Sequence, residues 1–197
     1  MSRLTLRKLI SCYFESPATR LLAYLGFTPN VVTGIGLIIA TSGAYLISSG
    51  HLTTGGIAII LAGAFDMIDG SLARSTNRST AFGAFIDSTA DRISEIVVLF
   101  GLLIYYENAT STMGVILVYL ALSGSFMVSY VRAKAESVGV NDTTGIMTRP
   151  ERVVILAMGL ISSYWWEDTV LIALGIIFTL ASLTTLQRVI GVRNNLN

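Results

Sequence analysis

Long apolar stretches, separated by short polar ones, run along almost the whole chain. A helix needs about 20 predominantly apolar residues to cross a bilayer. Six stretches approach or meet that length, although the second and fifth are short: Val31–Ser49, Leu52–Met67, Ala84–Tyr106, Met113–Tyr130, Val153–Trp166 and Val170–Leu186. The pattern predicts an all-α integral membrane protein with six transmembrane helices joined by short loops.

The composition agrees with a membrane protein. Of the 197 residues, 53% are apolar and only 13% are charged, and the mean hydropathy is +0.70. A soluble domain carries about 25% charged residues, and the short loops leave no room for one. We therefore predict a single membrane domain over 1–197 with its six-helix core at 29–190.

The 13 basic residues predict the orientation of the chain. If the N-terminus is inside and six spans follow, all of them fall on the cytoplasmic side. The outer loops SSGHLTTGG, YYENATST and SSYWWED contain no Lys or Arg, as the positive-inside rule requires. We expect a multi-pass protein of the cell membrane with both termini cytoplasmic. Lipids are expected partners, and nucleic acid is not.

Residues 1–28 precede the first predicted span. The stretch MSRLTLRKLISCYF mixes basic residues with leucines and aromatic residues, and it lacks the long apolar core of a signal peptide. It favours a cytosolic juxtamembrane amphipathic helix on the membrane surface. Cys12 is the single cysteine, which excludes an intramolecular disulfide and a cysteine-cluster metal site.

Two pairs of acidic residues interrupt the apolar pattern. Asp66 and Asp69 lie at the end of the second predicted span, and Asp87 and Asp91 lie at the start of the third. Residues three or four apart share a helix face, and a short turn makes the two spans antiparallel neighbours, so the pairs can converge. Acidic residues in membrane segments are expected to be functional. A solvated helix end is the alternative interpretation.

Four facing carboxylates repel one another unless cations lie among them. Ligand sets made only of oxygen suit Mg²⁺, Mn²⁺ or Ca²⁺ rather than zinc. Two such ions, roughly 3.5–4 Å apart, clamp the substrates of phosphoryl transfer. The four aspartates therefore predict a site for two divalent cations with an oxygen-only ligand set.

Small and cationic residues flank the acids. Gly70 and Gly83, with neighbouring alanines, allow helices and a ligand to approach closely. Arg74 follows Asp69 closely enough to contact a phosphate near the cations. Thr80 either caps the third span or contacts the ligand, and the two roles are compatible.

These residues together resemble the sequence signature of the CDP-alcohol phosphotransferases. The matching pattern is Asp66-x2-Asp69-Gly70-x2-Ala73-Arg74-x8-Gly83-x3-Asp87-x3-Asp91. The resemblance implies six transmembrane helices, often with a cytosolic juxtamembrane helix, and a homodimer. It also implies that an alcohol hydroxyl displaces CMP from a CDP-linked lipid, at a site that faces the cytoplasm.

The resemblance further implies a role for each matching residue. It assigns two divalent ions, usually Mg²⁺ with Mn²⁺ as a substitute, to Asp66, Asp69, Asp87 and Asp91. Asp91 would also take the proton from the acceptor hydroxyl. The residues implied to contact the CDP-lipid are Gly70, Arg74, Thr80 and the segment Asn30, Val31, Val32 and Thr33.

The second half of the chain bears on the acceptor alcohol. Basic residues at the predicted cytoplasmic ends either set the topology or form a pocket for an acceptor with its own phosphate. The stretches SYVRAKAES and TRPERVV resemble those of prokaryotic phosphatidylinositol phosphate synthases. This implies inositol phosphate as the acceptor, with its phosphate bound by Arg132, Arg152 and Arg188. The alternative acceptor is glycerol 3-phosphate, as in a phosphatidylglycerol phosphate synthase.

Two other classes of protein are alternatives to a transferase. Clustered acids in the membrane also suit a cation transporter, but no inverted repeat is visible and all four acids lie at one membrane face. A scaffold without catalytic activity leaves the fixed spacing unexplained. Release of CMP from CDP-diacylglycerol distinguishes the enzyme from both.

Overall fold

Seven α-helices make up the described part of the computed structural model, which covers residues 16–140 and 144–196. No β-strand occurs in these residues, so the predicted all-α class is confirmed. The helices are α1 (Ser16–Tyr24), α2 (Pro29–Ser48), α3 (Leu52–Ser75), α4 (Ala81–Asn108), α5 (Thr112–Ser137), α6 (Arg149–Ser162) and α7 (Thr169–Leu196).

Four of the helices, α2, α3, α5 and α7, are long and apolar enough to cross a membrane. They coincide with the first, second, fourth and sixth predicted spans. α4 has 28 residues, but its first half carries Asp87, Asp91 and Arg92, and Glu95 follows directly. α6 has only 14 residues, fewer than the roughly 20 that a span needs. The helices fit a membrane protein, and the number of six spans stays a prediction.

The juxtamembrane helix predicted over 1–28 falls only partly within the described residues. Its first part, residues 1–15, lies outside the described part of the chain. The remainder contains α1, where Ala18 and Leu22 pack against a cluster of Val32, Ile68 and Leu72. This contact holds α1 beside the end of α3.

Polar side chains determine where the helices next to the acidic residues begin. The Thr80 hydroxyl accepts a hydrogen bond from the Gly83 backbone N–H at 2.9 Å, so Thr80 caps α4 as one of its two predicted roles. At α6, Thr148 and Glu151 form a capping box, with Pro150 in the first turn. These caps place the first turns of α4 and α6 at defined residues.

Close helix packing brings the polar helix ends together. α2 packs against α3 and α4, and α6 packs against α3 and α7. A Cβ atom on Gly101 of α4 would lie 2.5 Å from the Ala44 carbonyl oxygen of α2, so glycine is required for this close approach. The start of α2, the end of α3 and the starts of α4 and α6 thereby meet at one end of the bundle.

Candidate active site

The two acidic pairs meet where α3 ends and α4 begins. Asp66 and Asp69 lie on α3 and Asp87 and Asp91 on α4, and we call these four side chains the carboxylate cluster. One carboxylate oxygen from each of Asp66, Asp69 and Asp87 lies within 4.8 Å of the others. α3 continues to Ser75, beyond its predicted end, so the first pair is fully helical. The helical spacing and the packing of both helices against α2 together produce the cluster.

Thr33 connects the start of α2 to the carboxylate cluster. Its hydroxyl donates a hydrogen bond to Asp69 Oδ2 at 2.6 Å. Both residues are buried, and Asp69 is only 3% exposed. The bond orients one Asp69 oxygen and leaves the other for a further partner.

Arg149, at the start of α6, lies directly against the carboxylate cluster. Its Nη1 atom is 2.6 Å from Asp66 Oδ2 and 2.6 Å from Asp91 Oδ1. Its Nη2 atom donates to the Ser94 hydroxyl at 2.9 Å. One guanidinium thus joins α3, α4 and α6, and it contacts Asp91 together with one of the three acids that converge.

The first cavity at the site lies between the starts of α2 and α4 and the end of α3. It has a volume of about 210 Å³. The predicted CDP-lipid residues that line it are Asn30, Thr33, Gly70, Arg74 and Thr80, together with Asp69 and Asp87 of the carboxylate cluster. Its wall therefore combines acidic, basic and hydroxyl groups around an open space.

Two residues of the predicted CDP-lipid segment lie elsewhere. Val32 is completely buried and packs with Ile68 and Leu72. Val31 is 48% exposed, and neither valine is among the residues that line the first cavity. The helical turn at the start of α2 thus directs Asn30 and Thr33, but not the two valines, towards the cavity.

The first cavity also has lining residues that were not singled out from the sequence. Arg78 and Ser79, in the turn between α3 and α4, line it beside Arg74. Their position immediately before Thr80 could have suggested this, because the turn joins the two acidic helices.

A second cavity lies on the other side of the carboxylate cluster, with a volume of about 410 Å³. Asp87 lines both cavities, and Asp91 lines the second. The structure brings the three predicted acceptor arginines to this one cavity. Its basic lining residues are Arg92, Arg132, Arg149, Arg152 and Arg188. Two polar cavities thus meet at Asp87, with a further acid of the carboxylate cluster on each side.

The three predicted acceptor arginines differ in their surroundings. Arg132 is exposed and pairs with Glu136 on the same helix at 3.0 Å. Arg188 is 3% exposed and donates to the carbonyl oxygens of Thr144 at 2.9 Å and Val128 at 2.8 Å. Arg188 therefore also holds the backbone before α6 against α5 and α7.

Arg152 forms a buried ion pair with Glu95, a residue that sequence analysis did not identify. The Nε and Nη2 atoms of Arg152 donate to Glu95 Oε1 at 2.7 Å and to Oε2 at 3.0 Å. Arg152 is only 3% exposed. Glu95 follows Asp91 by four residues, so the row of acids on one face of α4 was the available signal. The pair neutralises part of the positive charge in the second cavity.

The carboxylate cluster is chemically suited to a hard divalent cation. The converging donors of Asp66, Asp69 and Asp87 are all carboxylate oxygens, which suit Mg²⁺ or Mn²⁺. Because α3 and α4 are held by their packing against α2, the donors are positioned before any ion binds.

An acidic cluster formed by the end of one helix and the start of the next is the arrangement that the sequence signature predicts. The sequence model of the CDP-alcohol phosphatidyltransferase family matches residues 27–188. The chain therefore belongs to the CDP-alcohol phosphatidyltransferase family and is a transferase, which confirms the prediction from the signature.

Two similar proteins are named for their lipid products. An archaetidylinositol phosphate synthase of Methanothermobacter thermautotrophicus is 37% identical over 167 residues, which is 83% of this chain and 82% of that protein. A phosphatidylinositol phosphate synthase of Mycobacteroides abscessus is 37% identical over 150 residues, 75% of this chain and 68% of that one.

Solved structures of one enzyme share the fold. The crystal structure of Mycobacterium tuberculosis phosphatidylinositol phosphate synthase with CDP-DAG bound has a TM-score of 0.82 and 32% identity, and the match covers 90% of this chain and 92% of that one. The same enzyme in complex with manganese and citrate has a TM-score of 0.81 and 33% identity, over 89% and 87% of the two chains.

Proposed function

We propose that this protein transfers the phosphatidyl group of CDP-diacylglycerol to inositol phosphate, forming phosphatidylinositol phosphate and CMP. The observation that carries the proposal is the pair of polar cavities that share Asp87. One cavity offers Arg74 and Arg78 to a diphosphate, and the other offers several arginines to a phosphorylated alcohol. The names of the relatives favour inositol phosphate over glycerol 3-phosphate.

The carboxylate cluster would hold two divalent cations, with Mg²⁺ as the natural ion and Mn²⁺ as a substitute. When bound, these cations would neutralise the diphosphate and stabilise the charge that develops on the leaving CMP oxygen. Thr33 keeps Asp69 in the required orientation through its 2.6 Å hydrogen bond. The chain thus supplies the ligands on rigid helices and fixes one of them by a hydrogen bond from a neighbouring helix.

The remaining steps use groups of the chain itself. Arg74, in the first cavity, orients the diphosphate through charge-assisted hydrogen bonds. Asp91, in the second cavity, accepts the proton of the acceptor hydroxyl. The hydroxyl oxygen forms a new bond to the phosphorus of the phosphatidyl group, and the bond from that phosphorus to the CMP oxygen breaks. The proton ends on an Asp91 carboxylate oxygen.

The assay for this function measures CMP release by purified protein from CDP-diacylglycerol with three acceptors. Inositol phosphate is expected to be turned over fastest, and free inositol, which has no phosphate, only slowly. Faster turnover of glycerol 3-phosphate would identify the protein as a phosphatidylglycerol phosphate synthase. No CMP release with any of the acceptors would contradict the proposed function.

We propose that α4 and α6 also cross the membrane, giving six spans with both termini and the active site in the cytoplasm. The absence of Lys and Arg from the three outer loops supports this topology. A cysteine placed at His51 should react with an impermeant thiol reagent from outside the cell, and one placed at Arg193 should not. The reverse labelling would contradict the proposal.

We propose a homodimer, on the basis of the family resemblance. Small residues on the third and fourth predicted spans would permit close contact between copies. Native mass spectrometry from a mild detergent is expected to give twice the 21.1 kDa chain mass. A homogeneous monomer under these conditions would count against the dimer.

Arg132→Ala is expected to raise the KM for inositol phosphate while the affinity for CDP-diacylglycerol is kept. A hydrogen bond to a charged group contributes roughly 1.5–3 kcal/mol, so kcat/KM should fall about 10- to 150-fold. Arg132 is the suitable member of the predicted set because it is exposed, and its loss breaks only an ion pair within α5. Steady-state kinetics with both substrates measure the effect.

Lys134→Ala is the matched control, because Lys134 is exposed on the same helix but lines a different cavity. It should leave the acceptor KM close to that of the parent. Arg152→Ala is less informative, since it would leave Glu95 in a buried position without its partner. An unchanged acceptor KM in folded Arg132→Ala would mean that Arg132 serves topology rather than binding.

A further inference from the structure

Arg149 contacts the carboxylate cluster through more than one helix. The structure gives its Nη1 atom equal distances of 2.6 Å to Asp66 Oδ2 on α3 and Asp91 Oδ1 on α4. The side chains are 20%, 27% and 24% exposed, respectively, so water reaches the contact only in part. Electrostatic attraction and repulsion are therefore stronger here than at an exposed surface.

Arg149 lies beside an excess of negative charge. Four carboxylates on two adjacent helices repel one another, and the repulsion opposes the approach of the end of α3 to the start of α4. Arg149 brings one positive charge into contact with two of the four. Without ions, this guanidinium reduces the repulsion, and the same charge repels any cation that approaches the Asp66 oxygens.

The shape of the guanidinium explains how one side chain makes three contacts. The planar guanidinium places Nη1 between the two carboxylates and Nη2 at 2.9 Å from the Ser94 hydroxyl. The capping box of Thr148 and Glu151 defines the first turn of α6, from which Arg149 extends. The position of the positive charge is therefore built into the start of α6.

We propose that Arg149 is an internal counter-cation of the carboxylate cluster, which holds Asp66 and Asp91 together and limits the affinity of the cluster for divalent cations. In this role Arg149 is a positioning residue. The inference rests on the proposed function in one respect, namely that the cluster binds divalent cations. Arg149 and those cations stabilise the same carboxylates, so each weakens the binding of the other.

The test is Mn²⁺ binding by isothermal titration calorimetry on purified protein without substrates. Arg149→Gln should bind Mn²⁺ about tenfold more tightly than the parent, because one nearby positive charge is removed. In EDTA the same variant should melt at a lower temperature than the parent, and Mn²⁺ should raise its melting temperature more. Arg149→Lys keeps the charge, so its Mn²⁺ affinity should stay near that of the parent.

Arg92→Gln is the matched control. Arg92 lines the same cavity, but its Nη1 atom donates to the Ser88 carbonyl oxygen of its own helix. Its loss should change the Mn²⁺ affinity much less than the loss of Arg149. A merely structural role for Arg149 would lower the melting temperature in EDTA and in Mn²⁺ alike, without tighter binding. That result, or an equal affinity change in the two variants, would overturn the inference.

A second measurement uses the parent protein and does not require the variant to fold. Phenylglyoxal modification of Arg149, followed by mass spectrometry, should become faster as Mn²⁺ is added, because the ions release the guanidinium from Asp66 and Asp91. An unchanged or slower rate at saturating Mn²⁺ would contradict the inference. A parent protein that binds no Mn²⁺ would instead contradict the cation site of the proposed function, so the two failures are distinguishable.

Discussion

Replacing Asp91 with Asn is expected to lower kcat for CMP release by about 10²- to 10⁴-fold, the usual contribution of a general base. Asn has nearly the same shape as Asp, but it cannot accept the proton of the acceptor hydroxyl. Asp91 lines the second cavity, and it is not among the three acids that converge within 4.8 Å. Binding of CDP-diacylglycerol, which we assign to the first cavity, should therefore be largely kept.

Asp66→Asn is the matched control for this prediction. Asp66 belongs to the converging acids, and its replacement should weaken cation and CDP-diacylglycerol binding together. Both variants lose a carboxylate that contacts Arg149, so the loss of that contact is common to them. Single-turnover kinetics and binding of CDP-diacylglycerol separate the two effects. Equal losses of donor binding in both variants would contradict the different roles of Asp66 and Asp91.

Removal of divalent cations with EDTA is expected to abolish turnover completely, and Mg²⁺ or Mn²⁺ should restore it. The physical reason is electrostatic repulsion. The carboxylate cluster and the diphosphate are both negatively charged, so they repel each other unless cations lie between them. The converging donors are all carboxylate oxygens, so Zn²⁺ should restore activity poorly. CMP release measured against added cation concentration provides the test.

Ca²⁺ is the informative control for cation dependence. It also binds oxygen ligands but accepts longer and less regular coordination, so it should bind and fail to support turnover. Full activity in buffer free of divalent cations would contradict the assignment of the carboxylate cluster as a cation site. Activity restored equally by Ca²⁺ would show that the cations serve only to reduce repulsion.

Local sequence periodicity was sufficient to predict the helices and the helix faces on which the acidic residues lie. Asp66 and Asp69, like Asp87 and Asp91, share a face because the spacing lies within one helical turn. The helical class follows from the same reasoning, and so does the Thr80 cap, which the structure gives at 2.9 Å from the Gly83 N–H. The apolar pattern also located the four helices that are long enough to span a membrane.

For α4 and α6 the apolar pattern does not establish a membrane crossing, which stays a proposal. α4 and α6 contain apolar stretches, but acids and a basic residue occupy the first half of α4 and α6 ends after 14 residues. The family resemblance implies CDP-lipid contacts for the whole segment of Asn30, Val31, Val32 and Thr33. The helical rotation of about 100° per residue directs only part of that segment to the cavity.

The sequence by itself determined the family, the all-α class and the acidic faces, because each depends on residues a few positions apart. Only the tertiary structure decided the partners of the basic residues. Arg149 reaches Asp66 across 83 positions, and Arg152 reaches Glu95 across 57. Such pairs depend on how helices cross and rotate against one another, and Gly101 at the crossing of α2 and α4 shows how close packing sets this. Packing of separate helices, which no local spacing encodes, therefore placed a positive charge inside the carboxylate cluster.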